Sequence, residues 1–416
     1  MENSDLIKEL SKLVNYKDKN GDYNRLIQTD NDSSREIQGF RDEKRVRLRE
    51  STGARVAKTE DGYYIPTTID EILIRAFING ASDVHISVGA PPKMRLNGEM
   101  IQMPYTFLSP HDTKSLLSNL LNTDTKQIFE SDGDIDFAYS LPGVCRFRVN
   151  MYKQRGSWAA VFRILSNRIP SVDELEIPEV VRELTERKRG LVLVTGPTGS
   201  GKSTTLASLV QLINESSRRN IITLEDPIEY LHQHKYCSIN QREMGSDSKS
   251  FASAIRAALR EDPDVILVGE MRDPETISIA ITAAETGHLV FSTLHTIGAA
   301  ATIDRIIDSF NEAEQAQIRT QLAMALEGVI SQQLIPTIDG KSRKAAFEIM
   351  ICNPAIRNLI RDNKAHMIDQ YLQVNRKLGM IMMDDCIAQM FQQGVISYDK
   401  AVEFAVDKIQ MQSRLR

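Results

Sequence analysis

The pattern of apolar and polar residues sets the first 65 residues apart from the rest of the chain. Residues 1–65 carry many charges and few large apolar side chains, apart from a short amphipathic helix pattern near the start. Between Arg41 and Lys58, seven basic residues against three acidic ones give a local charge of +4. We interpret residues 1–65 as a charged, partly flexible extension and the basic stretch as a solvated linker, because few aromatic residues suited to stacking on bases lie among the charges. An arm that docks on an acidic partner, nucleic acid or membrane is the alternative.

Residues 66–165 have the pattern of a compact α+β domain. Apolar residues at helical spacing predict a helix over 69–79, and a second helix is expected around 116–121. Alternating runs predict five strands, at 84–88, 93–96, 135–139, 146–152 and 158–164. Residues 166–184, with Pro170 and Pro178, read as an interdomain linker.

Residues 185–345 change to apolar β runs that alternate with helical segments. The runs lie at 191–195, 221–224, 265–268 and 289–293, and they lack the period of two that marks a half-exposed strand. A parallel sheet covered on both faces requires strands of this kind, with helices as right-handed crossovers. We therefore predict an α/β domain here, followed over 346–416 by a helical C-terminal region with breaks at Gly379 and Gly394.

Composition and charge exclude several classes of protein. The 51 Lys and Arg against 56 Asp and Glu leave a net charge of -5, so no overall positive field attracts nucleic acid, and stable nucleic-acid binding is not expected. We find no apolar run near the 18 or so residues that span a bilayer and no secretory signal at the start, which favours a cytoplasmic protein. The four cysteines lie far apart without a CxxC pair, which argues against disulfides and a four-thiolate zinc site and predicts reduced packing residues: Cys145, Cys237, Cys352 and Cys386.

A phosphate-binding loop is the strongest chemical motif. The sequence from Gly196 to Ser203 reads GPTGSGKS, follows a predicted strand and opens a predicted helix over 204–213. Its backbone N–H groups and the helix N-terminus favour phosphate, Lys202 would reach the β- and γ-phosphates, and the Ser203 hydroxyl would ligate Mg²⁺. The motif predicts ATP and Mg²⁺ as ligands, with these nucleotide-binding residues: Gly196, Pro197, Thr198, Gly199, Ser200, Gly201, Lys202, Ser203 and Thr204.

Further polar residues follow the other apolar runs, where ligands of open α/β sheets bind. Glu225 and Glu229 follow the run at 221–224 and are candidates for catalysis and for Mg²⁺ respectively. Glu270 follows the run at 265–268 and is placed to orient or deprotonate the attacking water. His295 is expected near the γ-phosphate. His288 is a further catalytic candidate. If the run at 289–293 is one strand, the two histidines, seven residues apart, would sit at its two ends.

These residues together resemble one family, the secretion ATPases that power type II secretion and type IV pili. Four motifs occur in the family's order and near its spacing: the phosphate loop, the Glu225–Glu229 acidic box, the segment ending in Glu270 and the two-histidine box. Ser82–Pro92 and Ala355–Arg361 are similar to segments of the pilus-retraction branch, the PilT-like ATPases. The extension and type II secretion branches usually carry a four-cysteine zinc insert, which the cysteine spacing excludes here.

The resemblance implies a RecA-like ATPase domain, an N-terminal PAS-like domain and a homohexamer that drives pilus retraction and twitching motility. It implies that arginines from a neighbouring subunit reach the nucleotide, and the candidates are Arg146, Arg148 and Arg163. It also implies a coupling motif made of Ala355, Ile356, Arg357, Asn358, Leu359, Ile360 and Arg361. The implied partner is a platform protein of the inner membrane, with pilin moved indirectly and the motor peripheral at the inner face of that membrane.

Three rival functions stay open at the level of sequence. A pilus-extension or type II secretion motor of the same family is the nearest. A nucleic-acid translocase is a second, since RecA-like rings also move DNA, and a hydrolysis-poor scaffold that binds ATP in order to dock partners is a third.

Overall fold

The computed structural model describes residue 66 and residues 68–141, 144–165 and 168–415. The chain divides into two compact units between Asn167 and Arg168. Residues 1–65, with the predicted extension and its basic stretch, lie outside the described residues. In the part that is described, no helix combines the length and the apolar character needed to cross a membrane.

The N-terminal unit is built on one antiparallel sheet of six strands in the order β3-β2-β1-β6-β5-β4. Its strands are β1 (Asp83–Ile86), β2 (Lys93–Leu96), β3 (Glu99–Gln102), β4 (Asp134–Leu141), β5 (Cys145–Gln154) and β6 (Ser157–Leu165). Its helices are α1 (Ile69–Ile78), α2 (Pro110–Ser118) and α3 (Thr123–Asp132). The predicted α+β character of this unit is confirmed.

One face of this sheet belongs to the core and the other carries polar residues. Val84, Phe162 and Val149 follow one another across β1, β6 and β5 and are fully buried. The helix predicted around 116–121 lies earlier than expected, because Ser109 caps α2 through a reciprocal hydrogen-bonded pair with Asp112 and so fixes its start. The cluster of leucines near the C-terminal end of α2 misled the prediction.

The second unit contains a seven-stranded sheet in the order β13-β12-β7-β11-β10-β8-β9, parallel except for the pair β12 and β13. The strands are β7 (Gly190–Thr195), β8 (Asn220–Glu225), β9 (Ser238–Glu243), β10 (Val265–Val268), β11 (Leu289–Leu294), β12 (Leu326–Pro336) and β13 (Arg343–Ile351). The helices that precede or connect them are α4 (Glu179–Arg182), α5 (Lys202–Ser216), α6 (Phe251–Ala258), α7 (Pro274–Glu285), α8 (Ala299–Ile307) and α9 (Glu312–Ala325). This is the predicted α/β unit.

Two predicted boundaries differ from the structure. Strand β13 runs through residue 345, where the sequence predicts the end of the ATPase core. The sequence does not indicate this strand because its apolar residues do not alternate with polar ones. The predicted linker is part of the second unit from Arg168 onward, since Ile177, Val181 and Leu184 are buried in that unit's core. Val180 lies against the turn at Gly379, where an added Cβ would meet its side chain at 2.9 Å.

The C-terminal region is helical, as predicted, and packs on the edge of the sheet formed by β12 and β13. It consists of α10 (Pro354–Arg361), α11 (Ile368–Val374), α12 (Met383–Gln392), α13 (Tyr398–Phe404) and α14 (Lys408–Arg414). Ile335 of β12 and Ala346 of β13 share one apolar cluster with Ile387 and Met411 of these helices. Breaks occur at both predicted glycines, Gly379 and Gly394, which have positive φ angles.

All four cysteines carry free thiols, as predicted. Burial raises the pKa of the Cys145 thiol and of the Cys352 thiol to about 12. Both thiols are therefore neutral and act as small apolar side chains.

Candidate active site

The phosphate loop is shaped by three glycines and pressed against strand β12. Gly196, Gly199 and Gly201 have φ angles of 139°, 80° and 89°, in the region that side chains disfavour. A Cβ atom on Gly196 would lie 2.2 Å from the backbone oxygen of Gln332. Gly196 is therefore required both for its conformation and for the close approach of two backbones.

The first turn of α5 is suited to bind an anion. Gly201 occupies the N-cap position and offers no side-chain acceptor, so the first N–H groups of the helix stay available for a ligand. The buried Ser200 Oγ has no hydrogen-bond partner in the structure as described. Glycines, free backbone N–H groups and a buried hydroxyl together form a cradle suited to bind a chain of phosphates.

Lys202 lies within this cradle and is buried. Its Nζ donates to the carbonyl oxygens of Gly196 and Pro197 at 2.8 and 3.1 Å. Burial lowers the pKa of Lys202, while the charges of Glu270 and Glu229 act in the opposite direction. The ammonium group is thus held at the mouth of the loop, with two carboxylates close enough to influence it.

Glu270 follows β10 and is held on both of its oxygens. His295 Nε2 lies 3.1 Å from Oε1, and Arg272 Nη2 lies 2.8 Å from Oε2. Burial acts to raise the pKa of Glu270, but the hydrogen bond and charge of Arg272 and the charges of His295 and Lys202 outweigh it, so the net pKa is lowered. The carboxylate is therefore ionised and fixed in direction, as a group that orients or deprotonates water must be.

The strand order explains how these groups come together. Strand β11 lies between β7, which leads into the phosphate loop, and β10, which leads to Glu270. His295 follows β11 and occupies the middle position. Since neighbouring strands are about 4.8 Å apart, the loop and the start of the Glu270 segment are separated by roughly 10 Å at the backbone, which leaves room for a phosphate and a water.

The acidic box after β8 lies at the same edge of the sheet. Glu225 Oε1 accepts hydrogen bonds from Thr223 Oγ1 at 2.6 Å and Gln241 Nε2 at 3.2 Å. Burial raises the pKa of Glu225, an effect that these two hydrogen bonds oppose. The hydroxyls of Thr204 and Tyr230 lie 2.9 Å apart and join the box to the start of α5.

The donor atoms near the phosphate loop suit Mg²⁺. Ser203 is exposed in the first turn of α5, and Glu229 is close enough to Lys202 to influence its pKa. Within the described residues, no group of three His, Cys, Asp or Glu side chains could hold a metal ion by itself. Mg²⁺ needs no such group in nucleotide sites, where one or two protein oxygens, phosphates and waters hold it.

His288 does not join this cluster. It precedes β11, whose first residue, Leu289, pairs with Gly190 at the opposite end of β7 from the phosphate loop. Six strand residues span about 20 Å, so His288 and His295 lie at opposite edges of the sheet. His288 Nδ1 lies 3.0 Å from the carbonyl oxygen of Ala283, a local contact beside the turn after α7. We therefore leave His288 out of the catalytic proposal for its own subunit.

Gln332 is a site residue that sequence reasoning missed. It is buried on β12, its Nε2 donates to the Ser200 carbonyl at 2.7 Å, and its Oε1 accepts from Thr205 Oγ1 at 2.8 Å. The side chain thus fixes the phosphate loop to the first turn of α5. The signal in the sequence that could have indicated Gln332 is a run of polar residues, Ser331 to Gln333, inside an otherwise apolar stretch.

The predicted coupling motif lies in α10 and has an inner and an outer face. Ile356 and Ile360 are buried, and Asn353 caps the helix through the N–H groups of its first turn. Arg357 donates to the carbonyl oxygens at the end of α9, Ala323 at 2.8 Å and Met324 at 2.7 Å, and to Glu327 at 2.7 Å. The motif also includes Ala355 and Leu359, which are half-buried, and Asn358 and Arg361, which are exposed.

The three candidate trans arginines lie on the polar face of the N-terminal sheet. Arg148 of β5 is directly opposite Arg163 of β6, and Arg146 is two residues along the same strand, so all three share one face. Arg163 Nε lies 3.1 Å from Oδ1 of Asp83, which fixes one end of the row. Arg148 and Arg163 are exposed and Arg146 is half-buried.

Comparison with known proteins assigns the family. A model of the type II/IV secretion system protein family matches residues 58–394. The chain belongs to this family. Among its relatives, the type IV pilus retraction ATPase PilT of Pseudomonas aeruginosa is 47% identical over 337 residues, covering 81% of this chain and 98% of that protein. A twitching motility protein of Neisseria gonorrhoeae is 48% identical over 310 residues, covering 74% and 83%.

Solved structures of secretion-family ATPases match the fold. A crystal structure of the pilus retraction motor PilT with bound ADP is 47% identical, has a TM-score of 0.79 and covers 84% of this chain and 100% of that one. The ATPase DotB of Legionella pneumophila is 30% identical with a TM-score of 0.72, covering 81% and 96%. The predicted resemblance and the RecA-like ATPase fold are confirmed, and the chain is an ATPase that uses a nucleotide.

Proposed function

We propose that this secretion-family ATPase hydrolyses ATP to drive type IV pilus retraction. The position of Glu270 supports the hydrolytic part of this proposal. Its ionised carboxylate is held between His295 and Arg272, two strands away from the phosphate loop. The similarity to PilT and to a twitching motility protein supports the retraction part. A pilus assembly ATPase and a type II secretion ATPase match the chain at 34% and 35% identity over 286 and 300 residues, and two type II secretion relatives that reach 45% and 47% do so over only 161 and 156 residues.

The chemistry of hydrolysis is divided among the described side chains. Glu270 directs the attacking water at the γ-phosphate and takes up its proton, while His295 holds the carboxylate in place. The N–H groups of the phosphate loop bind the phosphates, and Lys202 moves from its carbonyl partners to neutralise negative charge that develops at the leaving group. Ser203 and Glu229 would hold Mg²⁺, which would supply positive charge to neutralise the phosphates further.

Six copies of the chain would form a ring in which each nucleotide receives arginines from the neighbouring subunit. Arg146, Arg148 and Arg163 suit this role because they form a row of guanidinium groups on one sheet face. A guanidinium is always charged and offers a fixed fork of donors to phosphate. The ion pair between Arg163 and Asp83 orients one member of the row in advance.

Closure of the ring subunits in sequence would do mechanical work on a partner. We propose that the motor is cytoplasmic, docks on a platform protein at the inner face of the cytoplasmic membrane and returns pilin subunits to the membrane through it. The exposed side of α10, with Asn358 and Arg361, is the proposed coupling surface, because these motif residues have no part in the core.

The two arginines of α10 should therefore separate stability from coupling. Arg357→Ala removes hydrogen bonds from a charged group to two helix-end carbonyls and Glu327, and we expect it to lower the free energy of unfolding by about 1.5–3 kcal/mol. Arg361→Ala removes an exposed side chain and should change that energy by less than about 0.5 kcal/mol. Chemical denaturation measures both.

The Arg361→Ala variant should still hydrolyse ATP at the wild-type rate but retract pili poorly, as scored by twitching in a complemented deletion strain. If the Arg361→Ala variant and the Asn358→Ala variant both twitch normally, the exposed side of α10 has no coupling role.

Pilus number in a deletion strain tests the direction of the motor. We expect cells without this protein to carry more and longer pili and to lose twitching, because extension would continue without retraction. Complementation with the wild-type chain should reverse both effects. Loss of pili would instead identify an extension motor.

In a separate assay on the purified protein, hydrolysis stimulated by DNA would support a translocase, and absence of turnover would support a scaffold.

A further inference from the structure

A buried carboxylate on β13 joins the loop after His295 to the C-terminal helices. Glu348 is 4% exposed. Its Oε1 accepts a hydrogen bond from the N–H of Ala299, the first residue of α8, at 2.7 Å. Its Oε2 accepts one from the N–H of Met383, the first residue of α12, at 3.4 Å. Each oxygen therefore serves the N-terminus of a different helix.

The carboxyl group of Glu348 suits these partners as an acceptor, although its net pKa is raised. Both bonds come from backbone N–H groups at helix N-termini, where the helix dipole favours negative charge. Burial raises the pKa of Glu348, and the charges of Asp369 and Asp384 act in the same direction, while the two N–H groups oppose them. Burying a carboxylate is costly, and an apolar side chain at this position would avoid that cost. What the carboxylate adds is a pair of acceptors on one short side chain.

A neighbouring hydroxyl fixes the same loop. Ser331 of β12 lies directly opposite Glu348 in the strand register, and its Oγ accepts from the N–H of Gly298 at 3.0 Å. Two consecutive amides, those of Gly298 and Ala299, are thus held from β12 and β13. The loop that they anchor begins with His295, the residue in contact with Glu270.

The phosphate loop is held from the same place on β12. Gln332, the residue after Ser331, binds the Ser200 carbonyl and Thr205. Successive strand residues point to opposite faces of a sheet, so Ser331 serves the His295 loop on one face while Gln332 serves the phosphate loop on the other. Glu348, which lies opposite Ser331, extends these contacts between β12 and the two loops to α12.

We propose that Glu348 is a positioning residue for ATP hydrolysis, which fixes the loop carrying His295 and ties that loop to α12 of the C-terminal region. The inference rests on the proposed function, because it assigns His295 and Glu270 to the hydrolytic site. Glu348 acts through backbone and not on the nucleotide, so it should influence the rate of turnover more than the binding of ATP.

Glu348→Gln tests the role with almost no change of shape. A glutamine keeps one acceptor oxygen, and its amide nitrogen would face a backbone N–H, so one of the two links must break. We expect kcat to fall about tenfold, while KM for ATP stays within about threefold because the phosphate loop and Lys202 are untouched. Loss of one hydrogen bond, which leaves a buried backbone N–H without its acceptor, is sufficient for a change of this size.

Asp407→Asn is the matched control. The Asp407 carboxylate also accepts from a backbone N–H at a helix N-terminus, that of Gln410 at 2.9 Å, but both residues lie within the C-terminal region. This variant should leave kcat and KM unchanged. Ser331→Ala, which removes only the hydroxyl, should lower kcat about threefold. In the double variant of Ser331 and Glu348, kcat should fall by less than the product of the two single reductions, since both residues act on one loop.

The outcomes separate this inference from the proposed function. If the wild-type chain does not hydrolyse ATP, the proposed function fails. If it does and Glu348→Gln behaves like Asp407→Asn, or if its loss appears in KM alone, the positioning role is refuted while the ATPase assignment stands. Thermal unfolding checks that Glu348→Gln is folded. If it is not, the predicted threefold loss in Ser331→Ala decides, and an unchanged kcat there overturns the inference.

Discussion

Glu270→Gln should bind ATP as the wild-type protein does and lose nearly all turnover. The glutamine keeps the size of the side chain but cannot take up a proton, and removal of a general base lowers rates by about 100- to 10,000-fold. Binding should persist because the phosphates are held by the loop amides and Lys202, which this substitution does not touch. We therefore expect phosphate release at saturating ATP to fall at least about 100-fold.

Glu275→Gln is a suitable control for this experiment. Glu275 lies five residues further along the chain, in the first turn of α7, where it forms an exposed ion pair with Arg256 at 2.5 Å. Exposed pairs contribute little, so this variant should retain full activity. Turnover by Glu270→Gln within a few-fold of the control would remove Glu270 from the mechanism and leave His295 without its proposed role.

Gly196→Ala should disrupt the phosphate loop itself. The new Cβ would lie 2.2 Å from the Gln332 carbonyl oxygen, which belongs to β12 and cannot retreat without disturbing the sheet. Such an overlap costs about 1–3 kcal/mol when the surroundings must shift, and the disfavoured φ angle costs about 1–3 kcal/mol more. We expect ATP affinity to fall about 100-fold or more, as measured by titration with a fluorescent ATP analogue.

Gly199→Ala supplies the comparison within the same loop. Gly199 also has a positive φ angle of 80°, but an added Cβ would meet no atom within 4 Å. This variant carries only the backbone cost, so its affinity should fall by clearly less than that of Gly196→Ala. Equal losses in the two variants would show that backbone conformation alone, and not the contact with β12, limits substitution in this loop.

The sequence was most informative where chemistry and strand pattern coincided. The run at 191–195 followed by GPTGSGKS predicted both a buried strand and a phosphate loop, and the structure has β7 and α5 at these positions. Glu270 and His295 were predicted one by one, each from its place after an apolar run, and they lie in contact. Parallel strands explain this success, because every chain segment that follows a strand emerges at the same edge.

The residues that were missed depend on contacts between distant segments. Gln332 lies more than a hundred positions from Ser200, and nothing local indicates that its side chain reaches the phosphate loop. Arg272 stands near Glu270 in sequence, but only the structure shows that it holds one carboxylate oxygen. His288 was placed among the candidates by its motif, and the direction of β11 separates it from them. Patterns along a chain predict which edge a residue occupies, whereas side-chain partners across a sheet follow from register.

The packing of Val180 against the turn at Gly379 has a practical consequence for dissecting the protein. Val180, near the start of the second unit, contacts this turn of the C-terminal region, and Glu176 is paired with Lys344 of β13. A shortened fragment ending near residue 345 would expose Val180 and remove most of β13. The beginning and the end of the motor unit therefore have to be expressed together, and limited proteolysis should release them as one piece.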